Sequence, residues 1–243
     1  MIIDFHSHIL PEMDDGAKSV DESVKILELL AHQGVDTVVA TPHFYLKRET
    51  PEVFLKRREK SFQKLLKAID KEHMPKIVLG AEVAFTPSLE DYDLSGLYIQ
   101  NTDYMMLEMP YQNLSRSLLR TVDNLIISKG FLPIIAHVER YLKFSTMESI
   151  KRLAELDVVC QVNADSLAKI STRKKTFDII KESRACIIGS DAHNLSDRSP
   201  KMDKAVKVLK HHFSEFEFNQ MMNNANEILK NIDIIETINM STD

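Results

Sequence analysis

Short apolar segments rich in Val, Ile and Leu alternate with longer amphipathic segments from one end of the chain to the other. Strands that are buried on both faces have the first composition, and helices packed against a sheet have the second. The alternation predicts an α/β fold of parallel strands joined by right-handed helical crossovers. Strands are predicted at seven places: Ile2–Phe5, Thr37–Thr41, Lys76–Ala81, Tyr104–Glu108, Leu132–His137, Val158–Val162 and Cys186–Gly189.

The amphipathic segments carry helix signals. Asp21–Gln33 has Ser19 as a plausible N-cap and Gly34 at its end. The other predicted helices are Pro51–His73, Leu114–Lys129, Met147–Leu156, Lys174–Ser183, Pro200–Phe213 and Phe216–Asn231. No linker or low-complexity tract interrupts the chain, so residues 1–243 are interpreted as one domain with a frayed tail from about residue 236. Periodicity alone leaves both an open doubly wound sheet and a closed barrel, and both place active sites at the C-terminal ends of the strands.

Composition excludes several classes of protein. Lys and Arg total 31 against 36 Asp and Glu, a net charge of −5, which argues against a general nucleic-acid or membrane-surface binder. Cys160 and Cys186 lie in apolar runs, as buried thiols in a reducing compartment do. The N-terminus lacks the pattern of a signal peptide, and no stretch approaches the roughly 18 apolar residues of a membrane span. We therefore expect a cytoplasmic globular protein.

Residue types that ligate metals follow six of the seven predicted strands. They are His6, His8, Asp15, His43, Glu82, Glu108, His137, Asp191 and His193. Because the C-terminal ends of parallel strands meet at one rim, we expect these side chains to lie close together. The remaining histidines fall on predicted helices and are interpreted as surface residues.

Any one of these residues would more often be a hydrogen-bonded core side chain than a metal ligand. Burying so many carboxylates and imidazoles together, however, requires cations that offset desolvation and mutual repulsion. His6 and His8 point to the same side, since side chains on a strand alternate with period two. Imidazole and carboxylate ligands without thiolate favour Mn, Zn, Fe or Mg, and two or three clustered ions suit phosphoester hydrolysis.

Two arginines follow predicted ligands closely: Arg140 follows His137, and Arg198 follows His193. A guanidinium presents a planar, bidentate fork to phosphate oxygens and to the charge that develops on them. Each arginine alone would more often be a surface ion-pair residue. Their shared position favours phosphate recognition.

The stretches DFHSHILPEMDDG, ATPH, GAE, LEMP, IIAHVER and GSDAHN, followed by Arg198, run in order from Asp4 to Arg198. In these stretches the chain resembles the PHP (polymerase and histidinol phosphatase) superfamily. Within it, the chain is similar to the CpsB-type bacterial tyrosine-protein phosphatases of capsule and exopolysaccharide loci. The resemblance implies a distorted seven-stranded (β/α) barrel with the metal site at the C-terminal ends of the strands.

The resemblance also implies three divalent metal ions, usually manganese. Carried over by position, one ion would be held by His6, His8, Glu82 and Asp191. Glu82 would bridge to a second ion bound by Glu108 and His137, and Asp15, His43 and His193 would hold the third.

The activity implied is that of a protein-tyrosine phosphatase, a phosphoric monoester hydrolase. A metal-activated hydroxide would attack phosphorus in line, while Arg140 and Arg198 neutralise the phosphoryl oxygens. The implied partner is the phosphotyrosine tail of a membrane-anchored bacterial tyrosine kinase that controls capsule synthesis. Neither nucleic-acid binding nor membrane insertion is expected, and a homo-oligomer is left open.

Other phosphatase chemistries lack their motifs. Neither Cys160 nor Cys186 is followed by an arginine at the spacing of a cysteine-phosphatase loop, and both nucleotide-binding glycine motifs are absent. The alternatives left open are another PHP phosphoesterase, acting on histidinol phosphate, a nucleotide or nucleic acid, and a non-catalytic phosphotyrosine-binding regulator.

Overall fold

The computed structural model describes residues 1–70 and 72–241, in which strands and helices alternate as the sequence predicts. The strands are β1 (Ile3–Ser7), β2 (Thr37–Ala40), β3 (His43–Phe44), β4 (Lys76–Leu79), β5 (Glu82–Ala84), β6 (Tyr104–Glu108), β7 (Leu132–Ile135), β8 (Val159–Asn163) and β9 (Ala185–Gly189). The α-helices are α1 (Val20–His32), α2 (Pro51–Leu66), α3 (Arg116–Lys129), α4 (Met147–Ala154), α5 (Ala164–Ala168), α6 (Ile170–Glu182), α7 (Met202–His212), α8 (Glu215–Leu229) and α9 (Ile234–Ser241). Short 3₁₀ helices span Pro87–Asp91, Ser95–Leu97 and Val138–Lys143.

The predicted start and end of the first helix are confirmed to within one residue. Ser19 is its N-cap and its side chain accepts from the backbone N–H of Glu22. Gly34 follows the helix with a φ of +79°, a conformation that glycine adopts without strain. The second predicted helix is shorter than expected and ends at Leu66.

The described strands form two parallel sheets, in the orders β1-β2-β4 and β3-β5-β6-β7-β8-β9. The second and third predicted strands end early, at Ala40 and Leu79, and after a short interruption each is followed by a further short strand that was not predicted, β3 or β5. Pro42 lies at the first interruption and has no N–H to donate to a neighbouring strand. The register is nevertheless unchanged across the interruptions, since Ala40 faces Leu79 and His43 faces Glu82.

The first and last strands meet at their C-terminal ends. Ser7 and Ala192 form an isolated parallel bridge, and the N–H of Asp191 donates to the carbonyl of His6 at 2.7 Å. The hydrogen-bond ladders of the described residues do not join the two sheets into one closed sheet. The contact nevertheless brings the loop after β9 against the H-x-H segment.

The C-terminal segment corrects one expectation. Instead of fraying from about residue 236, the chain forms α9 as far as Ser241, and only residues 242 and 243 lie outside the described residues. Ile234 and Ile235 are buried in the apolar cluster that contains Ile3 and Ile134, and this burial anchors the helix. The backbone N–H of Ile234 also donates to the hydroxyl of Tyr104. Within the described part of the chain, no helix is both long and apolar enough to cross a membrane.

Candidate metal centre

The H-x-H segment at the end of β1 forms one wall of the candidate site. His6 and His8 are both fully buried, and their Nε2 atoms lie 3.2 Å apart. Their shared direction is the one expected from the alternation of side chains along a strand. Two imidazole nitrogens at this distance can face the same ion.

Glu82, at the start of β5, lies in the middle of the histidines. Its Oε2 atom is 3.2 Å from the Nε2 atoms of both His6 and His8 and 2.9 Å from Nδ1 of His43. Its other oxygen, Oε1, is 2.7 Å from Nε2 of His137. The carboxylate therefore reaches ring nitrogens of four histidines from three different segments of the chain, the geometry required of a bridging ligand.

The other acidic residues and His193 surround this centre. Asp191 Oδ1 lies 3.4 Å from Nε2 of His8, and Glu108 Oε1 lies 3.6 Å from Nε2 of His137. Asp15 is more exposed, and its Oδ1 lies 3.4 Å from Nε2 of His193. The structure thus brings the nine residues named from the sequence to one rim, at the C-terminal ends of the strands. Among the described residues, three sets have ligand atoms close enough to share an ion: His8, Asp15, His43 and His193; His6, His8 and Glu82; and His43, Glu82 and Glu108. The third set contains His43, whereas the resemblance described above implies His137 beside Glu82 and Glu108.

The chemistry of these donors fits divalent metal ions. Four buried polar atoms at the rim form no hydrogen bond of acceptable geometry with the described residues: His137 Nδ1 and, although charged neighbours lie close to them, His43 Nδ1, Glu82 Oε2 and His193 Nε2. An unpartnered buried polar atom is costly, so a concentration of them in one place indicates a bound group that satisfies them. Imidazole nitrogen and carboxylate oxygen are ligands of Mn, Fe and Zn.

Burial and mutual charge perturb the ionisation of the cluster. Burial opposes charge on His6 and His8, but the carboxylates beside them, Glu82 and Asp191 for His6 and Asp14 for His8, hold both pKa values above the ordinary one. Burial also opposes the negative charge of Glu82, yet the neighbouring histidines hold its pKa well below the usual range. His137 behaves differently, because burial lowers its pKa to about 4. A neutral His137 retains the lone pair that a metal ligand needs.

Asp14 is a site residue that the sequence analysis did not single out. Its side chain is buried, and its Oδ2 accepts from Nδ1 of His8 at 2.7 Å and from the backbone N–H of His43 at 2.8 Å. This contact fixes the His8 ring so that Nε2 faces Glu82, a role that carboxylates often take behind ligating histidines. The available signal was the pair of aspartates in DDG, which does not indicate which of the two turns inward.

Gln161 and Asp4 form hydrogen bonds to residues of the site, and the sequence analysis did not identify either of them. Gln161 Oε1 lies 3.0 Å from Nδ1 of His6 and accepts from the backbone N–H of His137 at 2.7 Å. Asp4 is fully buried, and its oxygens accept from the N–H and the hydroxyl of Ser190. These contacts tie together the ends of β1, β7, β8 and β9.

The backbone of the site includes positions that side chains rarely tolerate. His137 has a φ of 32° and Asp191 a φ of 52°, the left-handed region that costs a non-glycine residue of order 1–3 kcal/mol. Gly189 packs closely against the H-x-H segment, since a Cβ atom at residue 189 would lie 2.5 Å from Cβ of His6. Strained backbone and close packing of this kind concentrate at functional sites.

Both arginines reach the same rim. Arg198 Nη2 lies 3.0 Å and 3.1 Å from the two oxygens of Asp191, and its Nη1 lies 3.3 Å from Asp15. Arg140 also pairs with Asp191. The side chains of Arg140 and Arg198 are 30% and 32% exposed, so part of each guanidinium is open to a ligand that approaches from solvent. The rim therefore combines metal-type donors with two planar cations.

The chain is similar to known proteins over nearly its whole length. Residues 2–230 match the model of the CpsB/CapC family of capsular polysaccharide synthesis. The chain is 30% identical over 245 residues to the tyrosine-protein phosphatase CpsB of Streptococcus agalactiae serotype III, covering 95% of this chain and 99% of the relative. It is 33% identical over 242 residues to the tyrosine-protein phosphatase YwqE of Bacillus subtilis, covering 95% of this chain and 92% of the relative.

Structural similarity extends over the same length. A crystal structure from work on YwqE of Bacillus subtilis and CpsB of Streptococcus pneumoniae, described there as metal-dependent tyrosine phosphatases, matches with a TM-score of 0.81. The match is 24% identical and covers 95% of each chain. At this identity it shows the fold. From the family match, its length and the relatives at 30% identity or more, the chain belongs to the CpsB/CapC family of capsular polysaccharide synthesis.

Proposed function

We propose that this protein is a metal-dependent protein-tyrosine phosphatase, a hydrolase of phosphoric monoesters. The observation that carries the proposal is the convergence of histidines, carboxylates and two arginines on one solvent-open rim. Relatives that cover nearly the whole chain are named tyrosine-protein phosphatases. A cysteine-based mechanism is disfavoured, which supports a metal-dependent one. Cys160 and Cys186 are buried, and burial raises the pKa of both thiols.

The proposed centre holds three divalent ions, with manganese as the favoured metal. Its ligands are His6, His8, Asp15, His43, Glu82, Glu108, His137, Asp191 and His193. Support comes from the three sets of adjacent donor atoms and from the unpartnered buried atoms at the same rim. Oxygen and imidazole donors in this number suit manganese, with iron, zinc and magnesium as the other candidates.

The residues of the chain have distinct roles in the proposed reaction. Bound divalent ions supply Lewis acidity, which polarises a phosphoryl group and makes water more acidic. Arg140 and Arg198 bind the phosphoryl oxygens and neutralise the charge that grows on them during transfer. Asp14 accepts a hydrogen bond from Nδ1–H of His8 and keeps Nε2 directed to the cluster. His137, held neutral by burial, presents its lone pair to the same centre.

We further propose that residues 1–243 form a single domain with the architecture of a distorted seven-stranded (β/α) barrel. The unchanged register across the interruptions lets β2 and β3 act as one strand position and β4 and β5 as another. The bridge between Ser7 and Ala192 brings the first and last positions together. Both observations support a ring of strands around the apolar cluster that includes Phe5 and Ile187.

The proposed substrate is the phosphotyrosine tail of a membrane-anchored bacterial tyrosine kinase that controls capsule or exopolysaccharide synthesis. Membership of a capsular polysaccharide synthesis family supports this assignment. A flexible, extended tail suits a rim at which both arginines are partly exposed. We place the reaction in the cytoplasm, which fits the two free cysteines. The net charge of −5 supports a substrate other than nucleic acid.

Phosphate release from matched substrates tests the proposal. The metal-stripped protein, with Mn²⁺ added back, is given a phosphotyrosine peptide, the corresponding phosphoserine peptide, histidinol phosphate and a dinucleotide. Manganese-dependent release chiefly from phosphotyrosine is the expected result. A preference for histidinol phosphate or the dinucleotide would keep the metal centre and overturn the substrate, whereas no release by the metal-loaded protein would indicate a binding module.

A further inference from the structure

A cavity of about 390 Å³ opens beside the metal centre, on the side of Glu108. The residues that line it include Tyr45, Ala84, Phe85, Met109 and Tyr111, together with the charged residues Lys47, Arg48 and Glu108. This volume lies in the range of small-ligand sites, and predominantly apolar walls with few polar groups are typical of them. The ligand sets described above leave the cavity without a role.

The cavity is continuous with the centre through shared and touching residues. Glu108 lines the cavity and also belongs to one of the sets of metal-type donors. The Tyr45 ring lies 5.2 Å from the ring of His43, measured between centroids. On the other side, the Tyr111 ring lies 6.1 Å from that of His137, with 14° between the ring planes. Two tyrosines thus stand at the cavity beside the histidines of the cluster.

Tyr111 also connects the cavity to the phosphate-binding side of the rim. Burial and the charge of Glu108 raise the pKa of the Tyr111 hydroxyl and the Arg140 guanidinium opposes that rise, so both side chains lie near the hydroxyl. A phosphoryl group bound by Arg140 would therefore have its ester oxygen within a short distance of the cavity. Arg198 contacts Asp191 and Asp15 and does not line the cavity.

We propose that this cavity, here called the ring pocket (Tyr45, Ala84, Phe85, Met109 and Tyr111), receives the phenyl ring of the substrate phosphotyrosine. The inference rests on the proposed phosphatase function. It adds a structural reason for the selection of phosphotyrosine over phosphoserine. A phenyl ring fits between aromatic walls with favourable edge and offset contacts. Phosphoserine has no ring and would leave the pocket unfilled, so the same metals and arginines would bind it less well.

Phosphonates test the pocket without requiring turnover. Phenylphosphonate and methylphosphonate carry the same anionic group, do not hydrolyse, and differ in the ring. Binding to the manganese-loaded protein is measured by calorimetry, with inorganic phosphate as the reference for the metal centre. We expect phenylphosphonate to bind about tenfold more tightly than methylphosphonate, from ring burial and aromatic contacts.

Two variants change the pocket in opposite ways. Tyr45→Ala removes a wall, and Ala84→Phe fills the space. Each should bring the ratio of the two phosphonate affinities close to one while phosphate affinity stays within about twofold, because the arginines and metal-type donors are retained. Phe144→Ala is the matched control, since Phe144 is 45% exposed, touches Tyr111 from outside and does not line the pocket. It should keep the tenfold ratio.

The outcomes separate this inference from the proposed function. A ratio near one in the wild-type protein, or a tenfold ratio that survives in both pocket variants, overturns the ring pocket even where the protein hydrolyses phosphotyrosine. A tenfold ratio that both variants abolish supports the pocket even where no phosphate is released from the peptide. In that case the proposed catalytic activity is rejected and the ring pocket is retained.

Discussion

Replacing Asp14 with Asn tests whether this buried carboxylate orients the histidines beside it. One Asp14 oxygen accepts from the backbone N–H of Gly16 at 2.8 Å. The other accepts from the backbone N–H of His43 at 2.8 Å and from Nδ1 of His8 at 2.7 Å. Asparagine has the same shape but carries an NH₂ group in place of one oxygen. In either orientation of the amide, a donor therefore meets a donor.

The cost follows from these contacts. An unsatisfied buried donor costs about 1–3 kcal/mol, so the free energy of unfolding of the metal-free Asp14→Asn variant should fall by about that amount. Loss of the group that orients a ligating histidine typically weakens metal binding about 10- to 100-fold, and we expect a loss of this size for Mn²⁺. Substitution of Asp14 is thus expected to reduce both stability and metal affinity without removing a ligand.

Urea denaturation of the metal-free protein and calorimetric titration with Mn²⁺ measure the two effects. Asp91→Asn is the matched control, because it removes the same charge from an exposed position outside the site. The reasoning would be refuted if Asp14→Asn bound Mn²⁺ as tightly as the wild-type protein. It would also be refuted if Asp91→Asn weakened Mn²⁺ binding equally, since the effect would then come from net charge.

Further predictions concern the arginines, a buried acid and a glycine. Arg140→Ala and Arg198→Ala should each keep the manganese content of the protein yet lower kcat about 10²- to 10³-fold, the usual effect of removing one donor to a developing oxyanion. Unchanged turnover in either variant would remove that arginine from the mechanism. Burial raises the pKa of Asp4 from 3.8 to about 6, so between these pH values the folded state binds the extra proton and stability falls as pH rises. Relative to Asp4→Asn, the free energy of unfolding of the wild-type protein should fall by a few kcal/mol across that window, at about 1.4 kcal/mol per pKa unit; parallel pH profiles would contradict this. Gly189→Ala places a methyl group 2.5 Å from Cβ of His6 and should lower the free energy of unfolding by about 1–3 kcal/mol and weaken Mn²⁺ binding; a variant with wild-type melting temperature and Mn²⁺ affinity would show that β9 can move aside.

The fold was largely predictable because its signals are local. Apolar β-branched runs, amphipathic periods and caps such as Ser19 and Gly34 depend on neighbouring residues in the sequence. The short strands β3 and β5 were not predicted, since two or three residues are too few to show a strand pattern. The helix α9 was also not predicted. It is stabilised by the burial of Ile234 and Ile235 against strands that are distant in the sequence.

The sequence by itself determined which residues could meet. Parallel strands have their C-terminal ends at one rim, so a histidine or carboxylate after nearly every strand must lie there, and period two aligns His6 with His8. The sequence also identified Arg140 and Arg198 as candidate phosphate-binding residues, because each follows a predicted ligand.

Only the tertiary structure decided how these residues are held and what surrounds them. Gln161 supports His6 across 155 positions of sequence, and no local pattern indicates that contact. The inward turn of Asp14 rather than Asp15, and the ring pocket between Tyr45 and Tyr111, likewise arise only when separate loops pack together. Local sequence determines the type and direction of a segment, whereas support for a ligand and the shape of a cavity depend on atoms contributed by segments far apart in the chain.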